Sequence, residues 1–137
     1  MAKGKPKGKP KRKLPPLRQL SEDEAWEIAL NDHPEYREGI EDGTLPEEML
    51  DERGELMNPR LHLTLHTIVE KQLAADEPKG MAEIARELAA VGVSRHNIRH
   101  AIATPLVEQL WAMQAEGAQF DEVEYLAQLR DIVDSYR

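Results

Sequence analysis

The 137-residue chain contains no cysteine. That absence excludes disulfide staples, thiolate metal sites and cysteine nucleophiles, and it fits a reducing compartment. Aromatic residues make up only 4% of the chain, so a core must rest on Leu, Ile, Val, Ala and Met. No apolar run approaches the roughly 20 residues of a transmembrane helix. The basic N-terminus lacks the apolar stretch of a signal peptide. The expected location is therefore the cytoplasm, with no membrane partner. Enzyme signatures are missing too: there is no phosphate-binding glycine loop, no dinucleotide fingerprint and no nucleophile-elbow serine. Ser21, Ser94 and Ser135 read as helix caps or surface residues, and Glu47, Glu48, Asp51 and Glu52 as solvated loop.

What the chain does have is charge, unevenly placed. Residues 1–18 hold eight basic side chains and no acid, whereas the remainder carries 10 basic against 26 acidic residues. The first 16 residues alternate Lys with Gly and Pro and offer nothing to bury, so they are expected to be disordered and extended. Residues 1–18 are read as this tail and residues 19–137 as one helical domain. Lys3, Lys5, Lys7, Lys9, Lys11, Arg12 and Lys13 suit a phosphate backbone through counterion release. Without aromatics to stack on bases, the tail would contact nucleic acid or the ribosome without reading sequence. The competing reading is a solvated extension over an acidic body.

Caps and breakers predict an all-α fold, a compact bundle of about five helices. Ser21 with Glu24 forms a capping-box pattern. Asp32 is read as the cap of a short helix with Pro34 in its first turn, stopped at Asp42-Gly43. Residues 44–58 are read as loop with one helical turn, anchored by Leu45, Pro46, Met49 and Leu50. Asn58-Pro59 opens a helix to about Ala75, and the Asp76–Gly80 stretch breaks it. A short helix covers Met81 to Ala90. Ser94 caps a long helix to about Glu116 that Pro105 is expected to kink. Asp121 caps the last helix. No β-hairpin pattern is evident.

Five histidines carry the chemistry that remains. His62 and His66 share one predicted helix and His96 and His100 another, each pair four apart and so on one face. Such pairs can hold a metal ion, with carboxylates at Glu70 and Glu108 completing a His/carboxylate set between helices. At roughly 100° per residue, the arc Ile68, Leu61, Leu65, Val69 and Leu73 includes His62, places His66 at its edge and turns Glu70 toward solvent. Gln72 points inward. On the second helix Ile98, Ile102, Leu106, Leu110 and Met113 form the arc. His96, His100, Val107 and Trp111 lie on its flank, with Glu108 beyond. His62 and His100 are thus the leading candidates, His66 and His96 next, and His33 last as a helix-start residue before Pro34. The competing reading is ordinary hydrogen bonding at a helix contact.

The segments HPEY (33–36) and NPRLHLTLH (58–66) are joined by Gln72, the Asp76-x-Pro78-x-Gly80 break, His100 and Glu108-x-x-Trp111. Together they resemble a bacterial family called domain of unknown function 1841, over roughly residues 20–130. The lysine tail lies outside that span. The resemblance implies a small helical bacterial protein and supplies no substrate, cofactor or catalytic residue. The family pattern has a Glu four residues after the later His, where this chain has Thr104.

Two functional readings follow. The first is a structural or protein-interaction module that docks an unidentified protein partner, with the tail as an electrostatic tether. The second is a metal-binding bundle of oxidoreductase or hydrolase type. It would hold iron, manganese or zinc on His62, His66, His96 and His100 with Glu70, Glu108 or His33. For His62 and His100 to share an ion, their nitrogens must approach within about 4–5 Å, given bonds of about 2.0–2.1 Å.

Overall fold

The computed structural model describes residues 17–51 and 53–137. The seven basic residues of the tail assignment, Lys3 to Lys13, lie outside the described residues, as does the expectation of disorder there. The fold is mostly helical: α1 (Glu22–Asp32), α2 (Pro34–Asp42), α3 (Pro59–Ala75), α4 (Met81–Ala90), α5 (Arg95–Glu116) and α6 (Glu122–Ser135). A minimal hairpin, β1 (Met49–Leu50) and β2 (Leu56–Met57), sits between α2 and α3.

The caps act through side chains that satisfy orphan amides in the first turn. Ser21 Oγ accepts from Glu24 N at 3.1 Å while Glu24 Oε1 accepts from Ser21 N at 3.0 Å. Asn58, Ser94 and Asp121 accept from the amides of Leu61, Asn97 and Glu124. Asp76 ends α3 in the left-handed region, at φ 53°, and its Oδ1 accepts from Gly80 N and Ala82 N. One residue thus closes one helix with its backbone and starts the next with its carboxylate. α5 runs through Pro105 without ending.

Three expectations are corrected. Asp32 is the last residue of α1 and does not cap α2; His33 holds that position. Among the described residues, 44–58 contain the hairpin and no helical turn. Asp51 makes it, accepting from Arg53 N and Glu55 N through Oδ1, with Gly54 at φ 81° in the turn. Residues in a strand alternate faces. Met49 and Met57 therefore face inward as a register pair, whereas Leu50 and Leu56 pair outward, 61% and 70% exposed. Leu50 and Pro46 are consequently not anchors; Leu45 and Met49 are.

α3 is the central helix. It packs against α1, α4 and α5, while α6 packs on α4 and α5. Leu63 joins Ala29, Leu30 and Tyr36 in one apolar cluster. Leu65 and Val69 join the larger one with Met81, Ile84, Leu88, Ile98, Ile102, Leu106, Tyr125, Leu129 and Val133. Tyr125 is fully buried, and its hydroxyl donates to Gln72 Oε1 at 2.7 Å, as the inward placing of Gln72 requires. Gln109 pins the α5–α6 connection by exchanging two hydrogen bonds with the Asp121 backbone. Among the described residues, no helix is long and apolar enough to cross a membrane.

Candidate metal centre

His33 is the single residue between α1 and α2. Pro34 disfavours the helical conformation in the residue before it. His33 accordingly leaves the helix, at φ −133° and ψ 64°. Its N–H still donates to Leu30 O, and its carbonyl accepts from Tyr36 N. The backbone break turns the imidazole inward, 2% exposed and stacked on Tyr36 with an interplanar angle of 3°.

α3 brings His62 and His66 to this junction, and α5 brings His100. The His33 ring centroid lies 4.9 Å from that of His62 and 4.4 Å from that of His66. His62 and His100 centroids are 5.0 Å apart. One nitrogen from each of His33, His62, His66 and His100 falls within a common 4.8 Å. His96 stands beside them, exposed, with its ring 4.2 Å from that of His100 and 5.6 Å from that of His33.

The protonation pattern can be derived. His33 Nδ1 lies 2.9 Å from Ala29 O, which only accepts, so Nδ1 carries the proton. In neutral His33 the Nε2 lone pair is then bare and directed at His62 Nε2, 3.1 Å away. His62 donates across that contact. Carbonyl-bound Nδ1 with free Nε2 is how metal-ligating imidazoles are commonly oriented. His66 is 1% exposed, and neither of its nitrogens has a hydrogen-bond partner among the described residues. A buried polar group so placed costs stability unless something satisfies it. Burial, reinforced by the neighbouring imidazoles, holds His66 well below the ordinary value of 6.5, at about 2. The same causes hold His62 at about 4. Both rings are therefore neutral at pH 7 and keep a lone pair for coordination.

The two carboxylates named from spacing are elsewhere. Glu70 does not turn to solvent as the helix wheel predicts; it is 5% exposed. It accepts from Arg99 Nε at 2.8 Å and from Arg95 Nη2 at 3.2 Å. Arg95 also bridges to Asp32 at 3.1 Å. Glu108 is exposed and meets Gln128 at 3.4 Å on the α6 side. The ion-pair chain Asp32–Arg95–Glu70–Arg99 was not singled out from the sequence. Its signal is positional: three of its members directly precede His33, His96 and His100, and Glu70 follows His66 by one turn. It ties α1, α3 and α5 together where the histidines converge.

A surface cleft lined by Arg18, Leu20, Glu24, Ile28, Glu70 and Leu73, among others, includes none of the five histidines. The histidine cluster is thus a packed centre between helices, not the floor of that cleft. Its donors are all nitrogen. Two nitrogens on a tetrahedral ion at about 2.0–2.1 Å stand about 3.3–3.4 Å apart, close to the His33–His62 spacing.

Neither a curated protein nor a solved structure matches the chain. The chain belongs to the family described as Domain of unknown function (DUF1841), whose profile matches residues 7–131 and so reaches into the lysine-rich stretch that the motifs alone place outside the resemblance.

Proposed function

We propose that this chain is a metal-binding helical protein whose centre consists of His33, His62, His66 and His100. The carrying observation is the convergence of four imidazole nitrogens within 4.8 Å around a buried His66 that has no hydrogen-bond partner among the described residues. A bound ion satisfies one nitrogen of that imidazole, which no protein group among the described residues does. The donor set favours zinc or ferrous iron over manganese, because imidazole suits the former and manganese prefers oxygen ligands. Binding breaks the His62–His33 hydrogen bond, and the single proton of neutral His62 stays on whichever ring nitrogen the ion does not take, so uptake at pH 7 releases no net proton from that ring. Glu70 and Glu108 are not ligands on this reading, and His96 is not part of the inner set. The ion joins the α1–α2 junction, α3 and α5, and so stabilises the fold as well as supplying a Lewis-acid or redox centre.

Elemental analysis of protein purified without a histidine tag tests the proposal. About one equivalent of zinc or iron, or its recovery on adding the ion, is expected for a single closed site. Less than about a tenth of an equivalent, with no recovery, rejects it.

The charge split favours a second reading for the tail: a tether to a polyanion such as RNA or the ribosome surface. Deleting residues 1–16 then weakens RNA association and flattens its salt dependence. Unchanged binding after deletion removes the tether.

A further inference from the structure

The fifth histidine stands outside the inner set, yet it is not remote from it. His96 is exposed at the start of α5, while His66 and His33 are buried. It lies one helical turn before His100, and their ring centroids are 4.2 Å apart, the shortest histidine spacing in the cluster. Its ring is also 5.6 Å from that of His33 and 6.2 Å from that of His66. An imidazole pair at this spacing on one helix can chelate an ion by itself. His100 therefore belongs to two overlapping sets: an outer pair with His96 and the inner four.

We propose that His96 is the exchange ligand of the centre, capturing a transition-metal ion from solvent together with His100 and passing it inward. This rests on the metal-binding reading above. Within the inner set His33 and His66 are buried and His62 and His100 half-buried, so His96, the exposed one of the five rings, is the most accessible to a hydrated ion arriving from solvent. The first bonds form to His96 and His100 with loss of water from the ion. The ion then gains His33, His62 and His66 while the bond to His96 breaks. His100 holds the ion throughout, so at no stage does it lose all its protein ligands in a poorly hydrated interior. Release follows the same steps in reverse. No oxidation or reduction is involved, and each neutral imidazole keeps its one proton on the nitrogen that the ion does not take.

The experiment uses the full, untagged chain and Co(II), whose visible absorption reports ligand number and type. Uptake is followed by stopped flow, release by mixing with excess chelator, and affinity by competition, for wild type, His96→Gln and His66→Leu. For His96→Gln, uptake and release should both slow by roughly tenfold, the scale on which groups beside a metal site act. Its affinity should stay close to that of wild type, because His96 does not hold the ion in the final state, with an unchanged spectrum. His66→Leu should lose affinity. Unchanged rates in His96→Gln overturn the proposal while leaving the metal centre intact. An affinity loss with an altered spectrum in His96→Gln also overturns it, by making His96 a permanent ligand. If wild type takes up no Co(II), both readings fall together.

Discussion

His66 is the residue on which the account turns. A buried imidazole with two unpaired nitrogens is a liability in a purely structural core, and the energetic cost of leaving it so exceeds that of an apolar side chain of similar size. His66→Leu should therefore leave the metal-free chain at least as stable as wild type in urea unfolding, while removing metal affinity. A large loss of stability in the metal-free variant would make the imidazole structural. The pH dependence follows from the same burial. Unfolded, both His62 and His66 titrate near 6.5; folded, they hold out to about 4 and about 2. The unfolded chain thus binds more protons below pH 6.5. The stabilisation is fully present above that pH and is lost progressively as pH falls through it. The urea midpoint of the metal-free wild type should drop between pH 7 and pH 5, and His66→Leu should drop less. Equal drops would place the effect on the carboxylates.

At the scale of the element, what the sequence discloses depends on how local the cause is. The caps at Ser21, Asn58, Ser94 and Asp121 are legible because each joins residues three apart. Asp76 should be equally local in its effect: Asp76→Ala costs about 1–2 kcal/mol in unfolding free energy, by removing the acceptor for the Gly80 and Ala82 amides at the start of α4. The helix wheel of α3 is less legible. It assumes one buried face, but α3 is packed by α1 on one side and by α4 and α5 on the other, so Glu70 and His66 are buried and Leu61, at the helix start, is 52% exposed. Trp111 and Met113, assigned to or beside the apolar face of α5, are exposed near its end. Glu70 is buried because two arginines from α5 neutralise it, a contact across 25 to 29 residues that no local pattern encodes. Glu70→Leu strands Arg99, itself only 13% exposed, and should cost about 2–4 kcal/mol. Glu70→Leu combined with Arg99→Leu should recover most of that loss; no recovery in thermal or urea unfolding would deny the pairing its role.

At the scale of the whole molecule, the histidines are spread over three helical units that share no local signal. Two i, i+4 pairs are visible in the sequence, and the closeness of His62 to His100 meets the distance that a shared ion requires. The importance of His33 is hidden, because its place depends on the break before Pro34 and on α1 lying against α3. Thr104, where the family pattern has a Glu, donates its hydroxyl back to His100 O. On the proposed reading an ion on these imidazoles would link α1, α3 and α5, which couples binding to folding. Stripping metal with a chelator should lower the unfolding midpoint of wild type, and adding zinc should restore it.

The most direct measurement is a calorimetric titration of the metal-stripped, untagged chain with Zn(II), run beside His66→Leu. Saturation is expected at about one ion per chain for a single closed four-imidazole site, with loss of that binding in the variant. Saturation that is unchanged in His66→Leu, or no binding by wild type, would contradict that expectation.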